Sequence, residues 1–180
     1  MGKTKISRGE FLPQLNNTTV NNAGFDRAVP LEEMDIETLT RIVNINLMGT
    51  FYVTKAVLPV MIKQGKGRIL NLASIAAFTP DAKDSAVYCA SKAGIVAFTR
   101  TLAREVGKYN IRVNAVAPAA VMNPFLEKLM PREELDEIVK RFISLGRAAT
   151  PEEIAKTIVF LVSEDASFIS GETVRVTGAW

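Results

Sequence analysis

The hydrophobic pattern of this chain alternates between short apolar runs and long helical stretches. Residues 68–72 and 111–117 are typical of buried strands, and Thr173–Val176 forms a last candidate strand. Strands that alternate with helices need crossover connections, and such connections require a parallel sheet with helices packed on it. The pattern therefore predicts an α/β domain with a parallel sheet of about four strands.

Three helical stretches alternate with these strands. The first is predicted to begin at Asp35, as N-cap, and to end at Gly65, and the second extends from about Asp84 to about Tyr109. The third begins after Thr150, where the sequence Thr-Pro-Glu-Glu combines capping-box spacing with a proline at the first helical position.

Two segments depart from this pattern. Residues 120–148 contain two prolines, Pro124 and Pro131, and short helical pieces such as residues 133–142, which is typical of a mobile substrate lid, although an ordinary helical excursion is the alternative. Residues 1–20 show no clear pattern, and residues 16–19 are too polar for a central strand of a parallel sheet. The main domain is therefore expected to span residues 21–180.

Composition limits the chemistry that this domain can perform. The 180 residues are 48% hydrophobic and 23% charged, as in a single globular domain. Because the chain has no histidine and only one cysteine, Cys89, an internal disulfide, Cys/His zinc sites and Ser-His or Cys-His nucleophiles are excluded. Any catalysis must use Tyr, Lys, Ser, Asn or carboxylate side chains.

The charge and hydropathy of the sequence predict neither a nucleic-acid partner nor a membrane partner. The 22 basic and 19 acidic residues are scattered along the chain and leave a net charge of +3, so we expect no nucleic-acid partner. Neither a secretory signal nor a run of about 20 apolar residues is evident. These features predict a cytoplasmic protein with no membrane partner.

Tyr88 and Lys92 form the first candidate for catalysis. A spacing of four residues puts both side chains on one helix face, where a lysine cation favours the phenolate and lowers the tyrosine pKa from its ordinary value near 10. The pair lies between strands that end near Ser74 and at Pro118, and open α/β sheets bind ligands at such carboxyl ends. A partly buried helix whose lysine extends to solvent is the structural alternative.

The order of several motifs resembles the short-chain dehydrogenase/reductase family, close to its acyl-carrier-protein reductase and sugar-alcohol dehydrogenase members. The resemblance extends from Asn21 to about Gly178 and implies a truncated Rossmann-like fold, the C-terminal two-thirds of a family domain. The matching segments are Asn21-Asn22-Ala23-Gly24, Asn46 within residues 44–50, Ser74 after Asn71-Leu72-Ala73, the Tyr88 and Lys92 pair, residues 112–118, and residues 146–171 with Pro151-Glu152-Glu153-Ile154.

This resemblance implies an NAD(P)-dependent oxidoreductase that transfers hydride to or from a small carbonyl compound or secondary alcohol. Tyr88 would give its proton to the carbonyl oxygen, and Ser74 would stabilise the charge that develops there. Lys92 would lower the tyrosine pKa and hold the nicotinamide ribose, and Asn46 would interrupt the first helix and hold a water that links Lys92 to solvent. The coenzyme contacts implied by the family are Asn22, Ala23, Gly24, Tyr88, Lys92, Pro118, Val121 and Asn123.

The phosphate-binding part of the family pattern is missing from this sequence. Only 20 residues precede Asn21, and none of them forms a Gly-x-x-x-Gly-x-Gly run. We therefore expect this chain to bind NAD or NADP weakly or not at all. Two alternative interpretations stay open. The chain is a catalytically silent family member that acts as an oligomerisation or binding module, or its missing half was cut away or lies in another chain.

Smaller departures accompany this loss. Ala119 replaces the glycine that usually follows Pro118, and Asn123 stands where a threonine commonly contacts the carboxamide. Without the neighbouring strands of the missing N-terminal half, the polar segment 16–19 would form an edge strand of the sheet. Polar residues on an edge strand discourage pairing with strands of other molecules. In the family, the two long helices that correspond to residues 35–65 and 84–109 pack against the same helices of a second subunit. The sequence of these helices is apolar on more than one side, so a homodimer or homotetramer is expected.

Overall fold

The computed structural model describes residues 17–122, residue 126 and residues 131–180. The predicted coenzyme contact Asn123 and most of the unpatterned segment 1–20 lie outside the described residues.

A four-stranded parallel sheet forms the centre of the domain, and its spatial order is the chain order. This arrangement confirms the predicted α/β fold. The polar residues Thr18 and Thr19 lie in the first strand, at the edge of the described sheet, as the sequence predicts. The strands are β1 (Thr18–Asn21), β2 (Gly67–Leu72), β3 (Ile111–Pro118) and β4 (Thr173–Val176).

Helices occupy the predicted stretches, with one interruption in the first. Asp35 caps this stretch by accepting a hydrogen bond from the Thr38 amide at 2.6 Å, and Gly65 ends it with a left-handed φ of 64°. Thr150 and Glu153 form the predicted capping box. The helices are α1 (Ile36–Val43), α2 (Gly49–Gln64), α3 (Ala86–Val106), α4 (Arg132–Phe142) and α5 (Pro151–Val162), and a π-helical segment (Asn44–Met48) joins α1 to α2.

Helices cover both faces of the sheet, because successive side chains of a strand point to opposite faces. Ile69 and Val113 pack against α2 and α3 on one face. Leu70, Leu72 and Val116 pack against α5 on the other face. This double burial explains why β2 and β3 read as short buried strands in the sequence.

A buried row of polar side chains joins β1, β2, α2 and α3. The Asn21 side-chain amide donates to Asn71 Oδ1 at 2.8 Å and to Thr54 Oγ1 at 3.2 Å, and the Asn71 amide donates to Thr99 Oγ1 at 2.9 Å. Each of these four side chains is at most 9% exposed. Because the bonds satisfy groups that would otherwise be costly to bury, they favour this one arrangement of strands and helices.

The segment 120–148 contains α4 in its described part. Leu135, Val139 and Ile143 form a small core with Ala119 and Ala120, which follow β3 directly. The helix agrees with the predicted piece at 133–142, and the mobility expected of a lid stays a prediction.

The helical stretch Ile36–Gln64 is long and apolar enough to cross a membrane, judged by length and composition alone. This differs from the prediction that the chain has no apolar run long enough to do so. Part of this stretch packs on the sheet, where Met61 and Thr54 are buried. Tyr52, Val53 and Val60 are exposed instead, at 62%, 45% and 55%. The absence of a membrane partner and the cytoplasmic location stay predictions.

We expect the exposed apolar side chains of α2 to be covered by a second copy of the chain. The double variant Val53→Glu, Val60→Glu places two charges in this surface and should shift the protein from dimer or tetramer toward monomer in light scattering at tens of micromolar.

Lys140→Glu serves as the control. It changes the net charge by the same amount at an exposed position of α4, outside the α2 surface. A well-folded wild-type monomer at the same concentration would contradict the prediction.

Candidate active site

The candidate site lies where β1, β2 and β3 end at one edge of the sheet. Asn22, Ala23 and Gly24 follow β1, Ser74 follows β2 by two residues, and Pro118 is the last residue of β3. Parallel strands bring these ends together, and the first turns of α3 supply Tyr88 and Lys92 at the same edge.

Ser74 is held by the turn that it begins. Its backbone is extended, and its hydroxyl oxygen accepts a hydrogen bond from the Ala76 amide at 3.2 Å, which caps the short 3₁₀ helix Ile75–Ala77. Ser74 and Tyr88 line the same cavity, and the Ser74 side chain is close enough to lower the pKa of the tyrosine. The structure therefore brings together the two hydroxyls that the family resemblance assigns to the reacting oxygen.

Lys92 lies behind Tyr88, and only 4% of it is exposed. Its Nζ donates a hydrogen bond to the Leu72 carbonyl oxygen at 2.7 Å and is 5.6 Å from the centroid of the Tyr88 ring. The alternative in which this lysine extends to solvent is therefore wrong, because the ammonium is directed into the domain at the end of β2.

The pKa of Tyr88 differs from the sequence expectation of a lowered value. Burial raises it from 10.0 to about 12, the hydrogen bond with Ser74 lowers it, and the charge of Asp26 raises it. Burial also lowers the pKa of Lys92 from 10.5 to about 8. Both pKa shifts have the same main cause, because burial away from water disfavours the charged form of either group.

Asn46 lies in the π-helical segment, and its side chain is fully buried. Its Oδ1 accepts from the Phe25 amide at 2.9 Å, and its Nδ2 donates to the Phe25 carbonyl at 2.7 Å. The predicted interruption of the first helix is present at this residue, and π-helical turns occur frequently at functional sites. Asn46 thereby fastens the loop after β1 to the helix.

Gly24 lies close to both Asn46 and Lys92. A Cβ at this position would be 3.3 Å from Asn46 Oδ1 and 3.7 Å from Lys92 Nζ. Asn22, Ala23 and Gly24 are all exposed, so their backbone is accessible directly beside the buried lysine.

A cavity of about 520 Å³ opens beside this group. Ser74, Tyr88, Pro118 and Val121 line it, whereas Asn22, Ala23, Gly24, Asn46 and Lys92 lie next to it without lining it. Its opposite wall comes from α4 and Trp180.

Asp26 and Ser85 line the same cavity and were missed in the sequence, because neither belongs to a motif of the resemblance. The position of Asp26, two residues after the Asn-Asn-Ala-Gly segment, was the one available signal.

Replacing Lys92 by Met should make the free energy of unfolding depend less on pH. The pKa of Lys92 falls from 10.5 to about 8 on folding, so the unfolded chain binds more protons between these values, and the lysine makes stability rise with pH in that window. This rise amounts to about 3 kcal/mol at most. It should be absent from Lys92→Met when both proteins are unfolded by urea at a series of pH values.

Lys63→Met is the matched control, because this exposed lysine in the last turn of α2 stays hydrated in the folded chain. Parallel pH profiles of wild type and Lys92→Met would contradict the assigned burial of the ammonium.

A search of known proteins supports the resemblance. The family model described as enoyl-(acyl carrier protein) reductase matches residues 15–179. The 3-oxoacyl-(acyl-carrier-protein) reductase FabG of Thermotoga maritima is 42% identical over 159 residues, which cover 88% of this chain and 63% of that protein. The chain thus spans somewhat less than two-thirds of this relative.

Two solved structures have the same fold. A 3-oxoacyl-(acyl-carrier-protein) reductase with bound NAD from Brucella melitensis has a TM-score of 0.81 and 36% identity, with 91% of this chain and 61% of that chain covered. A gluconate 5-dehydrogenase from Burkholderia cenocepacia in complex with NADP and tartrate has a TM-score of 0.86 and 29% identity, with 90% and 63% covered. With its ordered motifs, its parallel sheet and its Tyr88–Lys92 pair, the chain belongs to the short-chain dehydrogenase/reductase family.

Proposed function

We propose that this chain carries the catalytic and substrate-binding part of an NAD(P)-dependent oxidoreductase that interconverts a small carbonyl compound and a secondary alcohol. The observation that carries this proposal is that Ser74 and Tyr88 share the wall of one cavity, with the Lys92 ammonium 5.6 Å from the centroid of the tyrosine ring. The names of its relatives, which include reductases and dehydrogenases, support the same reaction class.

Tyr88 is the proton donor in this proposal. Because its pKa is about 12, the phenol is protonated at neutral pH and has a proton to give. A nicotinamide coenzyme would supply the hydride that reaches the carbonyl carbon. The carbonyl oxygen then takes the Tyr88 proton, while the Ser74 hydroxyl hydrogen-bonds the same oxygen and stabilises its developing charge.

Lys92 and Asn46 support this proton transfer. The loss of the phenolic proton creates a negative charge, and the ammonium of Lys92 lies 5.6 Å from the tyrosine ring to stabilise it. Lys92 has three donors and uses one on Leu72, so two stay available for a ribose hydroxyl and a water. Asn46, whose Oδ1 is also close to Gly24, would hold that water, as the family resemblance implies.

The described residues fit the nicotinamide riboside end of such a coenzyme. A Cβ at Gly24 would lie 3.7 Å from Lys92 Nζ, in the space through which a ligand would reach the lysine over the exposed loop of residues 22–24. Pro118 and Val121 would contact the nicotinamide ring at the end of β3, together with Asn123. The 180-residue sequence has no glycine-rich loop for the phosphates, so the proposal includes weak binding of NAD or NADP by this chain.

Tyr88→Phe should lower carbonyl reduction at least 100-fold, the lower end of what general acid catalysis supplies. The assay follows NADPH absorbance at millimolar coenzyme with a 3-oxoacyl thioester or a ketogluconate as substrate. Tyr109→Phe is the control, because its hydroxyl lies outside the cavity. The melting temperatures should stay close to that of wild type. A wild-type chain without turnover would contradict the proposed function, and an active Tyr88→Phe would contradict the role of the tyrosine.

NADH and NADPH should bind this chain with millimolar dissociation constants or weaker, worth at most about 4 kcal/mol. Gly24→Ala should weaken this binding further, because its new Cβ would lie in tight contact, 3.3 Å from Asn46 Oδ1, and would cover part of the approach to Lys92. Gly107→Ala is the control, because a Cβ there meets nothing within 4 Å. Calorimetry or ligand-detected NMR measures both, and a micromolar constant for wild type would contradict the prediction.

A further inference from the structure

Asp26 is an acidic side chain at the site that the family motifs leave without a role. It lies in the loop after β1, two residues beyond Gly24, and is half-buried. It lines the same cavity as Ser74 and Tyr88, and its charge is close enough to raise the tyrosine pKa. A carbonyl compound bound in this cavity therefore shares it with the Asp26 carboxylate.

The described residues supply only part of the hydrogen bonds that this carboxylate can accept. Asp26 Oδ2 accepts from the Ser85 hydroxyl at 3.0 Å, and Oδ1 accepts from the Arg27 amide at 2.8 Å. An ionised carboxylate has about four acceptor positions, so about two stay open.

Basic side chains do not fill these positions. The Arg27 guanidinium donates to Thr38 Oγ1 at 3.4 Å, and Lys83, at the cavity wall, lies 3.9 Å from the Asp84 carboxylate. Within residues 17–122, 126 and 131–180, the ion pairs do not include Asp26.

A half-buried carboxylate with open acceptor positions favours a ligand that brings hydrogen-bond donors. Burial raises the pKa of Asp26 above its ordinary range, as expected of a group that is short of donors. The cavity wall combines apolar residues such as Ala28 and Ala73 with polar ones such as Thr79, and a bound ligand that displaces water from Asp26 must replace the lost donors.

We propose that Asp26 is a specificity-determining residue that accepts a hydrogen bond from a hydroxyl group on the carbon next to the reacting carbonyl. The preferred substrates are then hydroxylated carbonyl compounds rather than plain ketones. This inference rests on the proposed function, because Ser74 and Tyr88 define where the carbonyl lies. The similarity to a gluconate 5-dehydrogenase, named for a polyhydroxylated substrate, agrees with it.

Two probe ketones that differ by one hydroxyl test this proposal. We would titrate the full chain with 2-hydroxycyclohexanone and with cyclohexanone by ligand-detected NMR, with and without NADPH. Wild type should bind the hydroxyketone about tenfold more tightly, the effect of one hydrogen bond to a charged acceptor. Asp26→Ala should bring the ratio of the two dissociation constants to about one. Asp26→Asn, which keeps the shape of the side chain, should give a smaller preference than wild type.

Two further variants separate contact with the ligand from a structural role. Ser85→Ala removes the hydroxyl that Asp26 holds but keeps the carboxylate, so the preference should persist. Asp81→Ala removes another acidic side chain of the cavity wall and should also retain the preference. Loss of the preference in either variant to the extent seen in Asp26→Ala would overturn the proposal, as would equal affinity of wild type for both ketones or no binding of either.

Turnover is measured separately with millimolar NADPH, so that the two proposals fail in different ways. Preferential binding of the hydroxyketone without any reduction would uphold the role of Asp26 and contradict the oxidoreductase. Reduction of both ketones with equal kcat/KM would uphold the oxidoreductase and overturn the role of Asp26.

Discussion

Two asparagine side chains at paired positions of β1 and β2 hydrogen-bond to each other inside the domain. The register pairs Asn21 with Asn71, and the bond of 2.8 Å between their side chains continues to Thr54 and Thr99 on the covering helices. A slip of β1 by one residue would turn the Asn21 amide to the other face, away from Asn71 and Thr54, at a cost of about 1–3 kcal/mol for a buried polar group without a partner. The register in turn makes β1 and β2 end at the same level. The loop that carries Gly24 and the turn that carries Ser74 therefore start side by side.

The same edge of the sheet depends on a second polar contact, between Asn46 and the backbone of Phe25. The π-helical turn accommodates one extra residue, and the buried amide of Asn46 then meets both the N–H and the C=O of Phe25. This contact fixes the loop between Gly24 and Asp26 against the helix. Because Gly24 lies close to Lys92 and the charge of Asp26 acts on Tyr88, one asparagine holds the loop that influences both members of the pair.

Local signals in the sequence predicted the helix limits and the strands, while contacts between distant segments did not follow from it. Asp35, Gly65 and Thr150 act on backbone groups within a few residues, so their roles are visible in a short window of sequence. The raised pKa of Tyr88 depends on burial and on Asp26, 62 positions away, and spacing along one helix contains no information about either. The buried position of Lys92 was missed for the same reason, since the Leu72 carbonyl that it contacts belongs to another element.

Burial acts on Tyr88 and Lys92 in opposite directions, and this opposition determines which charge states the pair prefers. Burial favours the neutral phenol and raises the pKa of Tyr88 to about 12. It also favours the neutral amine and lowers the pKa of Lys92 to about 8. Below pH 8 the ammonium is present and the phenol retains its proton, so the pair holds a proton donor together with the cation that stabilises its conjugate base. Above pH 8 the cation is lost before the phenol ionises, and a phenolate formed during reduction would then be buried without a counter-charge. In the proposed reaction, the lysine rather than the tyrosine would therefore limit activity on the alkaline side.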